Sequence, residues 1–333
     1  MNVLVIFTGG TIGSTAVNGY VTTDGNKPYK LIELYGQKTD SDVIFDTICP
    51  YETLSEDMTC KNLFILVKTI REELCKKYDG IIVTHGTDTI QYTAATLSYT
   101  LGCETIPVVL VSSNYVLEDK RANGLNNFYY AVEFIRAKMG RGVFVSYQNT
   151  GDIPKIHRAS RLLEHPVYSD DINSLGDIFY GSFSGDKYIP NPEYLKSVKK
   201  SDDVIFDIPS DKWDSDILFI RPYPGMRYPM IDKDIKGVIH HTYHSGTICS
   251  KTPGLDTFSK KASDYNIPVF MTGTGKGSDY ESTKIYKELG FHKLPYASPV
   301  SMYIKLWLAV NRGVSVIETM NKCISEDFLT ELH

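Results

Sequence analysis

Short apolar runs that alternate with amphipathic segments constrain the fold of this chain more than any other feature of its sequence. Segments with the apolar periodicity of helices, such as 59–76 and 124–138, separate these runs. Strands that are apolar on both faces and alternate with helices are typical of parallel sheets covered by helices. The sequence therefore predicts an α/β fold. The apolar runs, rich in β-branched residues, are 3–7, 81–83, 108–111, 143–147, 217–220, 238–239 and 269–270.

The alternation of strands and helices occurs twice along the chain. Between the two parts, three prolines and a run of charged residues interrupt the pattern within 186–213. We therefore predict two domains, a larger N-terminal domain (1–190) with a parallel-rich sheet flanked by helices and a smaller C-terminal α/β domain (214–333). Residues 191–213 would form the linker between them.

Charge and composition exclude several classes of protein. The 333 residues include 35 Lys and Arg against 40 Asp and Glu, which gives a formal net charge of -5 and argues against a nucleic-acid partner. No run approaches the roughly 18 apolar residues of a membrane span, and no basic signal-peptide region precedes the first strand. The six cysteines contain no CxxC pair, which is typical of reduced thiols. We predict a cytoplasmic protein without a membrane partner.

The residues that follow the first strand combine glycines with hydroxyl side chains. Residues 8–14 read TGGTIGS, and a dinucleotide-binding loop is disfavoured because Thr8 stands where the first glycine of that motif makes a tight turn. Residues 15–24 contain an Asn-Gly pair and predict a mobile loop rather than a helix. Exposed backbone N–H groups beside the hydroxyls of Thr8 and Thr11 would suit an oxyanion hole with a nucleophile. A plain glycine-rich turn is the alternative interpretation.

A second hydroxyl-rich motif follows the strand at 81–83. Residues 84–89 read THGTDT and precede a helical pattern. Ligands of open parallel sheets bind at the carboxyl ends of the strands, so Thr87 would face Thr11 across one crevice. Asp88 would then serve as a negative group for a substrate ammonium or as part of a proton relay. Alternatively, the Thr-Asp pair caps the free N–H groups of the helix start.

Two other patterns do not predict a site. Residues 273–278 (GTGKGS) resemble a phosphate loop, but Phe270 and Gly277 stand where that motif requires glycine and Ser or Thr. His240 and His244 share one face of a strand, yet no carboxylate or cysteine lies at ligand spacing. The sequence therefore predicts no metal.

The two hydroxyl motifs together resemble the bacterial-type L-asparaginase/glutaminase family. TGGTIG at 8–13 and HGTDT at 85–89 stand in the order of that family, each at a strand end. Residues 55–59 (SEDMT) resemble its substrate-binding turn, and 121–127 (RANGLNN) resemble its RxDGxxN segment. The absence of a signal peptide and the spacing at 19–20 are most similar to the cytoplasmic type I branch.

The resemblance implies a threonine amidohydrolase of two α/β domains, which is a homodimer or a tetramer of such dimers and uses neither metal nor organic cofactor. The small-molecule substrate would be L-asparagine or L-glutamine. The implied catalytic residues are Thr11 as the nucleophile, Tyr20 as the mobile-loop tyrosine that activates it, Thr87 as the second threonine and Asp88 as the acid that holds the substrate ammonium and orients Thr87. The implied substrate-binding residues are Ser55, which grips the α-carboxylate, Glu56, Gly10 and Gly86.

The main departure from the family lies at Glu164. The family has a lysine there that pairs with the acid beside the second threonine, and our alignment reaches this place after an insertion at 150–154. Three outcomes follow: Glu164 shares a proton with Asp88, or Lys155 reaches the site instead, or the relay is absent and turnover is slow. A surface position of Glu164 under a shifted alignment is the remaining alternative.

Three functions compete on these grounds. L-asparagine amidohydrolase, releasing aspartate and ammonia through a threonine acyl-enzyme, is the leading hypothesis. An asparaginase-like component of a tRNA-dependent amidotransferase would carry an extra N-terminal domain, whereas this sequence begins with its first strand, so we expect the hydrolase instead. A catalytically weak amino-acid-binding or regulatory homologue is the alternative that the carboxylate at Glu164 favours.

Overall fold

The architecture is that of a computed structural model of the chain. It describes residues 1–17, 20–23, 28–40, 42–103, 105–209, 217–274, 280–312 and 314–330, without the side chains of 13–17, 20–23 and 28–29.

Strands and helices alternate through the N-terminal part. The elements are β1 (Asn2–Phe7), β2 (Ser14–Val17), β3 (Tyr20–Thr23), α1 (Pro28–Lys38), β4 (Ile44–Ile48), α2 (Cys60–Glu73), β5 (Gly80–Thr84), α3 (Ile90–Leu101), β6 (Val108–Val111), α4 (Gly124–Ala137), β7 (Val143–Tyr147), β8 (Lys155–Arg158), β9 (Gly181–Ser184), β10 (Lys187–Pro190) and α5 (Pro192–Ser197). Short 3-10 helices at Thr11–Gly13, Ser55–Asp57 and Ala159–Arg161 interrupt the series.

The C-terminal part repeats the alternation on a smaller scale. It contains β11 (Ile217–Ile220), β12 (Gly237–His241), α6 (Leu255–Asp264), β13 (Val269–Thr272), α7 (Ile285–Glu288), β14 (His292–Lys293), α8 (Pro299–Arg312) and α9 (Val316–Asn321). Its strands form a four-stranded parallel sheet in the order β11-β12-β13-β14.

The larger sheet has eight strands in the order β10-β9-β8-β7-β6-β5-β1-β4. The strands from β4 through β7 in this order are parallel, and β8, β9 and β10 extend the sheet in antiparallel fashion. Strands β5, β6 and β7 are buried along their whole length, which explains their runs of Val and Ile. The predicted α/β class, with a larger parallel-rich sheet and a smaller α/β part, is confirmed.

Helix α8 joins the two sheets through a common core. It packs against α3 of the larger sheet and against β11 and β12 of the smaller one. One apolar cluster accordingly includes Leu110, Ile217, Phe270 and Leu308. The larger sheet ends at Pro190 and the smaller one begins at Ile217, while the exact domain limits stay a prediction. Within the expected linker, Asn191 caps α5 through its side-chain oxygen, which accepts from the Glu193 N–H (3.1 Å).

The loop expected over 15–24 is instead largely strand. β2 and β3 pair antiparallel, with Ser14 opposite Thr23 and Val17 opposite Tyr20. The Asn-Gly pair at 18–19 lies outside the described residues, but between two strands such a pair is the strongest short sequence signal for a hairpin and not only for a loop. No helix in the described ranges is both long and apolar enough to span a bilayer.

Three buried histidines are held in the neutral form. Burial lowers the pKa of His85 to about 4, that of His157 to about 3 and that of His240 to about 4. The hydrogen bonds of His240 fit a neutral ring, because its Nδ1–H donates to the His241 carbonyl (2.7 Å) and the Tyr228 hydroxyl donates to its Nε2 (2.8 Å).

We expect the free energy of unfolding to fall as the pH decreases below 6.5, the ordinary histidine pKa, because the unfolded chain then binds protons that the native state excludes. Between about pH 6.5 and 5.5 the loss should be about 1 kcal/mol per histidine, or about 3 kcal/mol for all three. Urea unfolding at the two pH values measures it. His157→Gln should remove about a third of this pH dependence. A free energy of unfolding that stays constant over this interval would contradict the neutral buried state.

Candidate functional site

The two hydroxyl motifs leave adjacent strands at the same edge of the larger sheet. β1 and β5 are parallel neighbours, and their last residues, Phe7 and Thr84, lie opposite each other. The Thr8 hydroxyl donates to the Thr84 carbonyl (2.6 Å), and Thr8 is only 2% exposed. Its hydroxyl therefore ties the strand ends together, whereas Thr11, in the 3-10 helix that follows, is half-buried.

Backbone contacts between glycines bring the two motifs together. A Cβ atom on Gly10 would lie 2.3 Å from the Gly86 nitrogen, so only glycine permits this approach. A Cβ atom on Gly86 would lie 2.5 Å from the Ser55 Oγ. Thr11 and Thr87 each follow directly one of these two glycines. The contact thus assembles three separate segments of the sequence around one point.

Gly10→Ala should destabilise the protein more than a matched substitution at Gly151. Both glycines have positive φ, +79° at Gly10 and +76° at Gly151, but only Gly10 has atoms within 4 Å of the added Cβ. The Gly151→Ala variant therefore reports the backbone strain alone. We expect Gly10→Ala to lower the free energy of unfolding by about 1–3 kcal/mol beyond that control, because the packed backbone must shift. Urea unfolding of both variants checks this, and equal losses would contradict the close approach.

Asp88 contacts the turn that carries Ser55. The Ser55 hydroxyl donates to Asp88 Oδ2 (3.2 Å), and the Thr89 hydroxyl donates to the Ser55 carbonyl (2.8 Å). The amide of Gln91 donates to the Asp88 carbonyl (3.0 Å). At the start of α3, the N-cap residue Thr89 makes no side-chain capping bond. The carboxylate of Asp88 is thus directed to Ser55, which disfavours the helix-cap interpretation.

The structure describes the exposure of most of the remaining predicted residues. Ser55 is buried, Glu56 beside it is exposed, and Thr87 is half-buried like Thr11. Tyr20 is the first residue of β3, and its side chain lies outside the described part of the chain.

His85 stabilises the second motif through hydrogen bonds of both ring nitrogens. It is buried, its Nδ1–H donates to the Gly86 carbonyl (2.8 Å), and the Thr93 hydroxyl donates to its Nε2 (2.8 Å). Desolvation lowers its pKa to about 4, so the ring remains a neutral donor to that carbonyl near pH 7. His85 was not among the residues predicted from the sequence, although its place between β5 and Gly86 was a usable signal.

Glu164 lies in the same cavity as Asp88 but pairs with a cation. Its carboxylate forms an ion pair with Arg221, and the Tyr92 hydroxyl donates to its Oε1 (2.9 Å). The ion pair with Arg221 is thus a further possibility for Glu164, beyond the outcomes considered from the sequence. Arg221 was not predicted from the sequence because it follows β11, a strand of the other sheet.

Lys155 does not reach this cavity. Its ammonium group contacts Asp152 (2.5 Å) and lies over the Phe179 ring, 4.9 Å from the centroid. The alternative in which Lys155 replaces the family lysine is corrected, because Lys155 is the first residue of β8, three strands away from β5 in the sheet, and pairs with Asp152 there.

The cavity beside the second motif has a volume of about 480 Å³. It is open to solvent and predominantly polar. Its lining includes Thr87, Asp88, Gln91, Tyr92, Glu164, His165, Asp170 and Arg221. His165 fixes one wall, since its Nε2 lies 2.9 Å from the Thr87 carbonyl and its Nδ1 lies 2.9 Å from the Asp171 carbonyl.

The arrangement of the two sheets is that of the L-asparaginases. The structure superposes on the thermostable L-asparaginase of Thermococcus kodakarensis with a TM-score of 0.75 and 21% identity, over 99% of this chain and 100% of that one. The probable cytoplasmic L-asparaginase of Campylobacter jejuni gives a TM-score of 0.72 at 21% identity, over 96% of this chain and 99% of that one. Residues 2–165 match the family described as asparaginase, N-terminal.

Similar curated proteins include two kinds of enzyme. One is a component of the glutamyl-tRNA(Gln) amidotransferase of Pyrococcus furiosus, which is 28% identical over 231 residues that cover 67% of this chain and 51% of that protein. The probable periplasmic L-asparaginase of Haemophilus influenzae is 36% identical over 154 residues, 44% of this chain and 43% of that protein. The chain thus spans about half the length of these relatives. The predicted resemblance to the asparaginase family is confirmed.

Proposed function

We propose that the protein is an L-asparagine amidohydrolase that releases aspartate and ammonia. The observation that carries the proposal is the contact of three segments at Gly10, Gly86 and Ser55, with the Ser55 hydroxyl bonded to Asp88. A carboxylate and a hydroxyl held side by side can bind the ammonium and the carboxylate of an α-amino acid. The two threonines then flank the position of its side-chain amide.

The proposed reaction proceeds through an ester of Thr11. The Thr11 hydroxyl attacks the amide carbon, and backbone N–H groups of the glycine-rich turns stabilise the oxyanion. The carbon–nitrogen bond breaks, the leaving nitrogen takes up a proton, and ammonia departs from a threonine ester. Water then hydrolyses the ester to aspartate and restores the Thr11 hydroxyl. Thr87 and Tyr20 are proposed to assist proton transfer, as the family resemblance implies.

Substrate recognition is proposed to involve the groups around Asp88. The carboxylate of Asp88 and the exposed Glu56 would hold the substrate ammonium, and Ser55 would bind its α-carboxylate. Gln91 adds an acceptor, because its buried Oε1 has no hydrogen-bond partner among the described residues. This acidic environment favours a substrate that carries a positive charge next to its amide.

A second candidate is the supply of ammonia within a tRNA-dependent amidotransferase. It is favoured by the similarity to the amidotransferase component of Pyrococcus furiosus over two thirds of this chain. Such a protein would release ammonia slowly from the free amino acid and faster together with its complex.

Ammonia release from purified protein tests these proposals. We expect release from L-asparagine by the protein alone, measured by a coupled assay with L-glutamine and D-asparagine in parallel. Release that requires added glutamyl-tRNA(Gln) and cell extract would favour the amidotransferase. If L-aspartate binds but neither amide is hydrolysed, the catalytically weak binding protein becomes the better description.

We further propose that the enzyme acts in the cytoplasm as a homodimer or a homotetramer. The resemblance to cytoplasmic L-asparaginases supports both statements. Sedimentation velocity of the purified protein determines the oligomer size.

A further inference from the structure

Both peptide carbonyls that flank Thr87 contact a histidine ring. The Gly86 carbonyl accepts from His85 Nδ1–H (2.8 Å), and the Thr87 carbonyl lies 2.9 Å from Nε2 of His165. The Thr87 carbonyl also accepts a longer bond from the Ile90 N–H (3.3 Å) at the start of α3. Because each peptide unit is planar, bonds at the two carbonyls fix the peptide planes on both sides of Thr87. His85 belongs to the second motif, whereas His165 lies 78 positions after Thr87, so the second threonine depends on a contact from outside its motif.

His165 connects this backbone to a wall of the cavity. It is half-buried and lines the cavity that contains Thr87 and Asp88. Its other ring nitrogen, Nδ1, lies 2.9 Å from the Asp171 carbonyl. The Nε2–H donor that the Thr87 carbonyl requires is present in the imidazolium and in one neutral tautomer of the ring.

The wall segment, residues 165–171, is fastened independently of the second motif. The Asp171 N–H donates to Ser169 Oγ (3.1 Å) within the segment. Directly after it, the Ile172 N–H donates to Asn149 Oδ1 (3.0 Å), and the Asn149 amide donates back to the Ile172 carbonyl (3.1 Å). Asn149 follows β7 of the larger sheet. His165 therefore projects from a supported segment and can hold the Thr87 carbonyl in a defined place.

Asp88 is held by other contacts than Thr87. Its carboxylate accepts from the Ser55 hydroxyl (3.2 Å), and its carbonyl accepts from the Gln91 amide (3.0 Å). Neither contact involves His165. Loss of the His165 contact would therefore displace Thr87 more than it displaces Asp88.

We propose that His165 is a positioning residue for the amide hydrolysis, whose Nε2–H holds the Thr87 carbonyl and thereby keeps the Thr87 hydroxyl in place. This inference rests on the proposed function. Since both ring nitrogens face backbone carbonyls, the ring has no free nitrogen with which to act as the acid or base of the reaction. The contribution of His165 is therefore the position of Thr87 and not proton transfer.

Two amide variants separate the two contacts of the ring. His165→Gln can place an amide N–H near the position of Nε2 and keep the bond to Thr87, whereas His165→Asn can place it near Nδ1 and keep only the contact with Asp171. His165→Ala loses both contacts and is a second loss variant. Urea unfolding verifies that each variant is folded.

Three quantities are measured at one fixed pH. The first is the pair kcat and KM for ammonia release from L-asparagine, and the second is the affinity for L-aspartate by calorimetry. The third is the hydrogen exchange of the backbone amides of residues 87–90, followed by mass spectrometry. The exchange measurement reports the anchoring of Thr87 without requiring any activity.

His165→Asn and His165→Ala should lower kcat by about 10- to 100-fold while KM and the affinity for L-aspartate stay within about threefold of wild type, because a displaced catalytic group costs rate rather than binding. Exchange at residues 87–90 should become about five- to tenfold faster in these two variants, as expected for one lost hydrogen bond. His165→Gln should stay within about threefold of wild type in kcat and in exchange. A merely structural role would lower the stability of the Gln and Asn variants alike without separating their kcat values.

Equal kcat values in His165→Gln and His165→Asn, or wild-type kcat in the folded loss variants, would overturn the inference. Faster exchange without a loss of kcat would also overturn it, because Thr87 would then be loosened without an effect on the reaction. If the wild type releases no ammonia from either amide, the proposed function fails. Hydrogen exchange then tests the contact by itself, and equal exchange in the Gln and Asn variants would show that His165 does not hold Thr87.

Discussion

Thr11→Ala and Thr87→Ala should each lower ammonia release by about four orders of magnitude or more, as for removal of a catalytic nucleophile. Each threonine supplies a hydroxyl next to the contact of Gly10 and Gly86, and Thr8, the nearest other threonine in the first motif, uses its hydroxyl to bind the Thr84 carbonyl. The measurement is kcat/KM for L-asparagine with protein whose fold is verified by circular dichroism.

Serine variants provide the matched control for this loss. Thr11→Ser and Thr87→Ser keep the hydroxyl and remove only a methyl group, so we expect them to retain far more activity than the alanine variants. Wild-type ammonia release in both folded alanine variants would sink the catalytic assignment. The glycine-rich turn and the start of α3 would then be structural features only.

Asp327→Ala should lower the free energy of unfolding by about 3–5 kcal/mol, because it leaves the Lys305 ammonium buried without its counter-ion. Both residues of this pair are fully buried, with Lys305 Nζ 2.8 Å from Asp327 Oδ2. The Tyr99 hydroxyl also donates to Oδ2 (2.9 Å), and the Ile324 N–H donates to Oδ1 (2.9 Å). Urea unfolding measures the loss.

Two variants control for the nature of this interaction. The double variant Lys305→Met with Asp327→Leu removes both charges and should be clearly more stable than Asp327→Ala, since replacing a buried pair costs less than breaking it. Glu318→Ala breaks the exposed pair with Lys322 and should change stability little. If Asp327→Ala were as stable as Glu318→Ala, the buried pair would not be a stabilising constraint.

The parts of the fold that depend on local patterns were predictable from the sequence. The strands at 108–111, 143–147 and 217–220 lie where the apolar runs predict them. The reason is that a β-branched run that is buried on both faces is typical of an inner strand of the parallel sheet in an α/β protein. The two hydroxyl motifs meet because each follows one of two adjacent parallel strands, and that adjacency follows from the fold class.

Long-range and surface features were not predictable in this way. β4 is a partly exposed strand, so its residues lack the continuous apolar pattern of the others. The ion pair of Glu164 with Arg221 joins residues 57 positions apart, in segments that follow β8 and β11, and no local spacing indicates such a contact. The antiparallel strands β8, β9 and β10 likewise arise from successive pairing with β7, β8 and β9 rather than from their own periodicity.

The common core around α8 limits how the chain can be divided. Since Leu308 and its neighbours are shared by both sheets, a protein cut within the expected linker would leave the apolar surface of α3 open to water. The two parts therefore depend on each other in evolution. A recombination event that exchanged only the C-terminal part would have to bring an α8 whose residues match those of α3. Exchange of whole chains would avoid this requirement. Strands β9 and β10 contribute no residue to the shared core, so their sequences can vary independently of it.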